Sequence, residues 1–177
     1  MCVSWRARSK RGKQGVRCYA RSMQLAGMRL AQVTRENFGE ACALQVRPEQ
    51  QGVVASVTES LAAAYVGRDI AWPRLIYDDD QLVGFIMACF DPAAEAELYR
   101  CFLWRLNIAA DRQGTGYGRF AVYALCDEAR RRGERKLMVS WSEHEHGPEG
   151  FYLRLGFKPT GARNRGEIVA EFPLDQS

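Results

Sequence analysis

Metal and redox chemistry have little to work with in this chain of 177 residues, which carries two histidines, six cysteines and no Cys-x-x-Cys pair. The cysteines stand at positions 2, 18, 42, 89, 101 and 126, at no metal-ligand spacing, and no secretory apolar segment precedes them. That pattern argues against a disulfide-stapled exported scaffold; reduced, structural thiols in a cytoplasmic setting are the expectation. No apolar run approaches the ~18 residues a membrane-crossing helix needs, so no membrane partner is expected. Collagen-like and disordered classes are excluded by ordinary proportions, 47% hydrophobic and 26% charged residues.

Acidic residues are missing altogether from the first 22 positions, where Arg6, Arg8, Lys10, Arg11, Lys13, Arg17 and Arg21 stand unopposed. This leaves 18 basic against 21 acidic residues from Met23 onward, so the body is mildly acidic although the whole chain carries +4. The arm admits three readings: a tail for nucleic acid or another anionic surface, an organelle transit peptide, or a disordered leader upstream of the functional start. No nucleic-acid recognition motif accompanies the charge and no clean amphipathic helix emerges from it, so residues 1–22 are expected to be a leader and nucleic acid is not an expected partner.

Within the body, periodicity gives the element order. "MRLAQV" alternates as a strand, and "TRENFGEACALQV" turns to helical spacing with Thr34 as the expected N-cap. "SVTESLAAAYVG" opens with Ser56 and Glu59 at capping-box spacing and closes at Gly67, a natural left-handed C′ residue. "WPRLIYD" and "LVGFIMACF" flank the short polar turn "DDDQ" and read as an antiparallel hairpin, followed by the strand "LYRCFLWRLNIA". From Gly116 a helix is expected, with Ala121, Leu125 and Ala129 on one face, three arginines at its negative dipole end and Gly133 as its stop. The strand "RKLMVSWS", a short helix over "GPEGFYLRL" with Pro148 in its first turn, and two last extended runs complete the order. Seven strands and four helices in this order predict a mixed α/β fold, a largely antiparallel sheet with helices packed on it.

The stretch "DRQGTGYGR", residues 111–119, holds three glycines in five positions at a strand-to-helix junction. Each costs roughly 0.5–1 kcal/mol inside a regular element, so a compensating use is expected. Successive peptide N–H groups backed by the positive end of a helix dipole bind phosphate. The spacing is not the GxxxxGK[ST] of a P-loop, and Arg119 stands where a dinucleotide fingerprint needs its third glycine. A tight connection whose glycines merely allow close packing is the alternative.

"FYLRLGF", some 33 residues after Gly118, supplies the second half of a signature. With Gln113, Gly116 and Gly118 matching Q/R-x-x-G-x-G/A, the sequence resembles the GNAT superfamily of acetyl-CoA-dependent N-acetyltransferases over roughly Met28 to Leu174. "LQV…EQ…VVAS…SLAAAYV", "LWRLNI…RQGTGYGR" and "GEIVAEF" are most similar to its bacterial spermine/spermidine acetyltransferases. The resemblance implies one acetyltransferase domain over residues 23–177, a sheet of six to seven strands with one splayed pair, and about four flanking helices. It implies acetyl-CoA as co-substrate, its diphosphate on the loop amides of Gln113, Gly114, Thr115, Gly116, Tyr117, Gly118 and Arg119. Its pantetheine arm would lie along the peptide groups of Leu106 and Ile108, with the Ile108 amide as donor to the thioester carbonyl.

The same resemblance places Tyr152 as the general acid that protonates the leaving thiolate, uphill by ~2 kcal/mol between a phenol and a thiol of ordinary pKa. An amine of pKa near 10.4 is mostly protonated near neutrality, and exposing its lone pair costs ~4 kcal/mol, so a base or water chain is expected. Glu143, Glu145, Glu167 and Glu171 are the candidate carboxylates, and the sequence does not choose among them. Glu145 stands where related enzymes usually carry Asn, which makes it either a base or a cofactor-positioning group. "EHEH", residues 143–146, lacks a third ligand at zinc spacing, so no metal is expected. Val53, Val57 and Thr58 stand near the amine pocket by the same resemblance.

The expected reaction is direct acetyl transfer in a ternary complex to a primary amine of a small cationic substrate, a polyamine. Aminoglycoside acetylation is the alternative enzyme reading, and an acyl-CoA sensor with a basic arm the alternative of another class. Exposed sheet edges leave a homodimer possible.

Overall fold

The computed structural model describes residues 27–52, 54–144 and 147–174. The basic arm, Val53, Glu145 and His146 lie outside the described residues. Seven strands are formed by Met28–Ala31 (β1), Ala71–Asp78 (β2), Gln81–Phe90 (β3), Cys101–Ile108 (β4), Lys136–Trp141 (β5), Lys158–Asn164 (β6) and Glu167–Pro173 (β7). Four helices are Phe38–Ala43 (α1), Val57–Val66 (α2), Tyr117–Arg131 (α3) and Glu149–Leu155 (α4). The sheet order is β1-β2-β3-β4-β5-β7-β6. Every neighbouring pair is antiparallel except β4 with β5, which run parallel.

Both sheet faces are covered, which explains why β3 reads as a nearly continuous apolar run. On one face Ile86, Leu103, Leu137 and Val139 pack under Phe120, Ala121, Leu125 and Ala129, the apolar stripe of α3. On the other, Leu75, Phe85 and Met87 meet Ala41 of α1 and Val57 of α2. Val57 is therefore a core residue, 1% exposed, rather than a lining of the amine pocket, and Thr58 faces solvent.

Three local expectations change. Helix α1 begins three residues later than the pattern suggests, with Asn37 in the capping position. Its Oδ1 accepts the Thr34 amide at 2.7 Å and its Nδ2 donates to the Gln32 carbonyl at 3.0 Å, while the Thr34 hydroxyl accepts only the Glu36 amide. Gly67 ends α2 at φ −96°, outside the left-handed region, and its amide donates to the Ala63 carbonyl. Pro148 sits at the N-cap of α4, one place ahead of the first turn. The Ser56–Glu59 capping box is present in full, each residue's side chain bonding the other's backbone amide.

Candidate active site

Strands β4 and β5 pair only at Phe102 with Met138 and Leu103 with Val139. Beyond that point Trp104 to Ile108 on one side and Ser140 to Trp141 on the other part company, and a cavity of about 1040 Å³ opens, with Leu103, Trp104, Arg105, Leu106, Ser140, Trp141 and Tyr152 in its wall. The free edge of β4 follows from the ladder on its other side. The Ala109 amide donates to the Val83 carbonyl at 3.0 Å, and Asn107 stands opposite Phe85. Antiparallel alternation then directs the peptide groups of Asn107 toward β3 and those of Leu106 and Ile108 toward the opening.

The glycine loop follows at once. Gly114 (φ +86°) and Gly116 (φ +102°) occupy the left-handed region where side chains are strained. Gly116 is the N-cap of α3; it offers no side-chain acceptor, and no acidic residue stands in the first turn. The Phe120 amide donates to the Gly116 carbonyl at 2.9 Å and closes the first turn, so the peptide groups from Tyr117 onward lie at the positive end of the helix. Gly118 serves packing, since a Cβ there would meet the Phe151 ring at 3.2 Å.

Side chains of the loop are engaged in holding it. Gln113 Nε2 donates to Gln50 Oε1 at 2.7 Å and to the Ile108 carbonyl at 3.0 Å. The Thr115 hydroxyl donates to the Arg112 carbonyl at 2.6 Å. Tyr117 is buried and its hydroxyl donates to Asp78 Oδ2 at 2.6 Å, a bond that raises the phenol's pKa. For Gln113, Thr115 and Tyr117, then, only the backbone is offered to a ligand. The segment between α1 and α2 is tied to the same region by the Ala110 amide on the Gln45 carbonyl, 2.9 Å, and Asn107 Nδ2 on the Ala55 carbonyl, 3.0 Å.

The opposite wall is built of side chains. Tyr152, on α4, stacks on Trp141 with ring centroids 5.5 Å apart and meets Phe151 and Phe157 edge-on. Burial pushes its phenol pKa well up, so it stays protonated through the neutral range and is a weaker acid than its ordinary value implies. Trp141 is 2% exposed, and its Nε1 is a buried donor with no partner among the described residues. Such a group costs about 1–3 kcal/mol until something accepts from it. Glu167, half-buried at the start of β7, lies in the cavity wall and accepts the hydroxyls of Ser140 and Ser142.

Of the other candidate carboxylates, Glu145 lies outside the described residues, and Glu143 and Glu171 are held in ion pairs. Glu143 pairs with Arg163 at 2.8 Å and Glu171 with Lys136 at 3.3 Å, both away from the cavity wall. Asp91, Glu95, Arg105, His144 and Arg165 also line it. Arg105 donates to the Trp104 carbonyl at 2.8 Å; burial lowers its pKa, while the charges of Glu167 and Glu59 oppose that shift. Sequence reasoning missed Arg105, Asn107, Trp141 and the two serines. Asn107 and Arg105 were discoverable as polar breaks in an apolar strand; the serines were not, because their role depends on a partner 25 or more residues away. Among the described residues no group of three or more His, Cys, Asp or Glu is placed to hold a metal ion, and no helix is long and apolar enough to cross a membrane.

A model of the acetyltransferase (GNAT) family matches residues 56–157. No curated protein matches the chain. Among solved structures, an acetyltransferase from Thermus thermophilus is 23% identical, with 82% of this chain and 96% of that one covered at a TM-score of 0.62. The paia N-acetyltransferase from Thermoplasma acidophilum, in complex with coenzyme A, is 14% identical over 82% and 98% at 0.59. An aminoglycoside 6′-N-acetyltransferase complexed with coenzyme A is 20% identical over 84% and 98% at 0.62.

Proposed function

Because the chain belongs to the acetyltransferase (GNAT) family, we propose that it transfers the acetyl group of acetyl-CoA to a primary amine of a small cationic substrate, a polyamine such as spermidine or spermine. The observation that carries this reading is the parting of β4 and β5 directly upstream of an uncapped, glycine-entered helix. It sets a row of peptide donors and acceptors beside an anion-binding mouth, the arrangement that a long diphosphate-bearing acyl carrier fits. Solved neighbours that hold coenzyme A support the same assignment.

Amides from Gln113 to Arg119 receive the diphosphate, and the peptide groups of Leu106 and Ile108 align the pantetheine arm. When bound, acetyl-CoA supplies an activated acyl group with a good leaving thiol. The Ile108 amide donates to the thioester carbonyl. Tyr152 keeps its proton at neutral pH because burial disfavours the phenolate, and that proton is available to the departing sulfur. The cavity's carboxylates, Asp91, Glu95 and Glu167, and its aromatic surfaces, Tyr99, Phe102 and Trp104, suit a protonated alkyl amine; Arg105 and Arg165 reduce the net negative charge it meets.

A panel of amines with acetyl-CoA, read by thiol release, tests the proposal. Stimulation by spermidine or spermine supports it. Stimulation by aminoglycosides alone keeps the transfer and changes the substrate. Saturable coenzyme A binding without thiol release for any amine overturns it in favour of an acyl-CoA sensor.

A further inference from the structure

The reacting amine needs a group to bring it to the acyl carbon and to accept the proton its nitrogen sheds. The β7 end of the cavity supplies one. Trp141 pairs with Ile168 and Ser140 with Val169, so Glu167, the next residue of β7, flanks Ser142 just past the end of β5. That stretch of β5 forms the lip of the opening once the pairing with β4 has ended at Leu103 and Val139. The Ser140 hydroxyl donates to Glu167 Oε2 and the Ser142 hydroxyl to Oε1 at 3.4 Å, which fixes the carboxylate while each serine oxygen keeps acceptor capacity for an ammonium.

Resting on the transfer reading above, we propose that Glu167 receives the reacting amine and acts as its proton acceptor. The carboxylate draws the substrate ammonium to the lip. Solvent takes its first proton, at the ~4 kcal/mol cost of neutralising an alkyl amine near pH 7. As the new C–N bond forms on the neutral nitrogen, the carbonyl π pair moves to oxygen, one N–H bond breaks with its electron pair staying on nitrogen, and the proton passes to a Glu167 oxygen and then to solvent; when the carbonyl re-forms the C–S bond breaks, its pair leaves on sulfur, and the thiolate takes the proton of Tyr152, which solvent restores. The charged groups that share the cavity wall with Glu167 are Arg105 from β4, His144 after β5, Arg165 from the β6–β7 turn, and Asp91 and Glu95 from the segment after β3. Of these, Arg105 feels the Glu167 charge, which raises the guanidinium's pKa against the larger effect of burial. Glu143 and Glu171, held by Arg163 and Lys136, are available as controls.

The experiment compares Glu167→Ala, Glu167→Asp and Glu143→Gln with the natural protein, using acetyl-CoA and spermidine, with folding checked by circular dichroism. Glu167→Ala is expected to lose about a hundredfold in kcat/KM for spermidine with acetyl-CoA affinity unchanged by calorimetry. Added formate or acetate restores part of the rate, Glu167→Asp retains part of it, and Glu143→Gln stays at the natural level. Should the alanine variant fail to fold, Glu167→Gln carries the same loss and the aspartate variant the same partial rescue. Undiminished turnover in the variants, a parallel fall in acetyl-CoA affinity, or a loss that neither small carboxylates nor aspartate repair each overturns the role of Glu167 and leaves the transfer reading standing. No thiol release from the natural protein with any amine overturns both.

Discussion

The two lips of the opening between β4 and β5 are made of different material. On the β4 and α3 side, Arg105 apart, the polar surface is backbone: the peptide groups of Leu106 and Ile108 and the helix mouth behind Gly116, with the side chains of Gln113, Thr115 and Tyr117 donating to internal partners. On the β5, β7 and α4 side it is side chain: Ser140, Ser142, Glu167, Trp141 and Tyr152. A backbone lip tolerates any side chain that leaves φ and packing alone; a side-chain lip is sensitive to single-atom changes. The carrier and the amine are therefore expected to respond to separate sets of substitutions.

The largest break in that division is expected from Gly116→Val. A β-branched residue at φ +102° is strained by roughly 1–3 kcal/mol, and it displaces the first-turn amides. Acetyl-CoA affinity should fall by about thirty- to hundredfold in a calorimetric titration; unchanged affinity would show that the glycine serves only packing. Next in size is Tyr152→Phe, which removes one oxygen from the other lip. Turnover should drop by about tenfold or more while the acetyl-CoA dissociation constant stays within about twofold, and equal turnover would remove Tyr152 from proton transfer.

Tyr117→Phe sharpens the comparison further, because it touches the backbone lip only through its support. Loss of the bond to Asp78 should cost about 2 kcal/mol in urea unfolding and raise the KM for acetyl-CoA a few-fold without moving the KM for the amine. A matching rise in both constants would deny that the lips are independent. Ser56→Ala, which loses only the cap of α2, should cost about 1 kcal/mol of stability and leave both constants alone.

An effect outside both lips concerns the thiols near and beneath the sheet. Burial pushes Cys89 up to about 11 and Cys126 up to about 12, and raises Cys101 as well. An unfolded thiol ionises near 8.5, so between about 8.5 and the folded values the native state holds more protons than the unfolded one. Stability should accordingly fall as pH rises above about 8.5, read by urea unfolding under reducing conditions; a flat profile up to about pH 10.5 would show those thiols ionising freely in the fold.

Much of this molecule is legible in its residue order. Period-two and period-3.6 patterns located the seven strands and four α-helices among the described residues, and the Ser56–Glu59 spacing carried its capping box locally. Thr34 misled because the Asn37 side chain holds the preceding turn, accepting the Thr34 amide and donating to the Gln32 carbonyl, so the helix starts only after Asn37. Val57 misled because the start of a helix says nothing of which face meets the sheet. The parting of β4 and β5 could be reached only through family resemblance, since it is a failure of pairing between strands distant in sequence. Selecting Glu167 among the acids required knowing that Ser140 and Ser142 lie beside the start of β7.

The central claim is that peptide groups on the β4 lip and at the helix mouth hold the acyl carrier. Backbone amide resonances of Leu106, Ile108, Tyr117, Gly118 and Arg119, followed by nuclear magnetic resonance during titration with coenzyme A, test it most directly. The account predicts that they shift together and saturate at one equivalent; resonances that stay in place while the protein remains folded would contradict it.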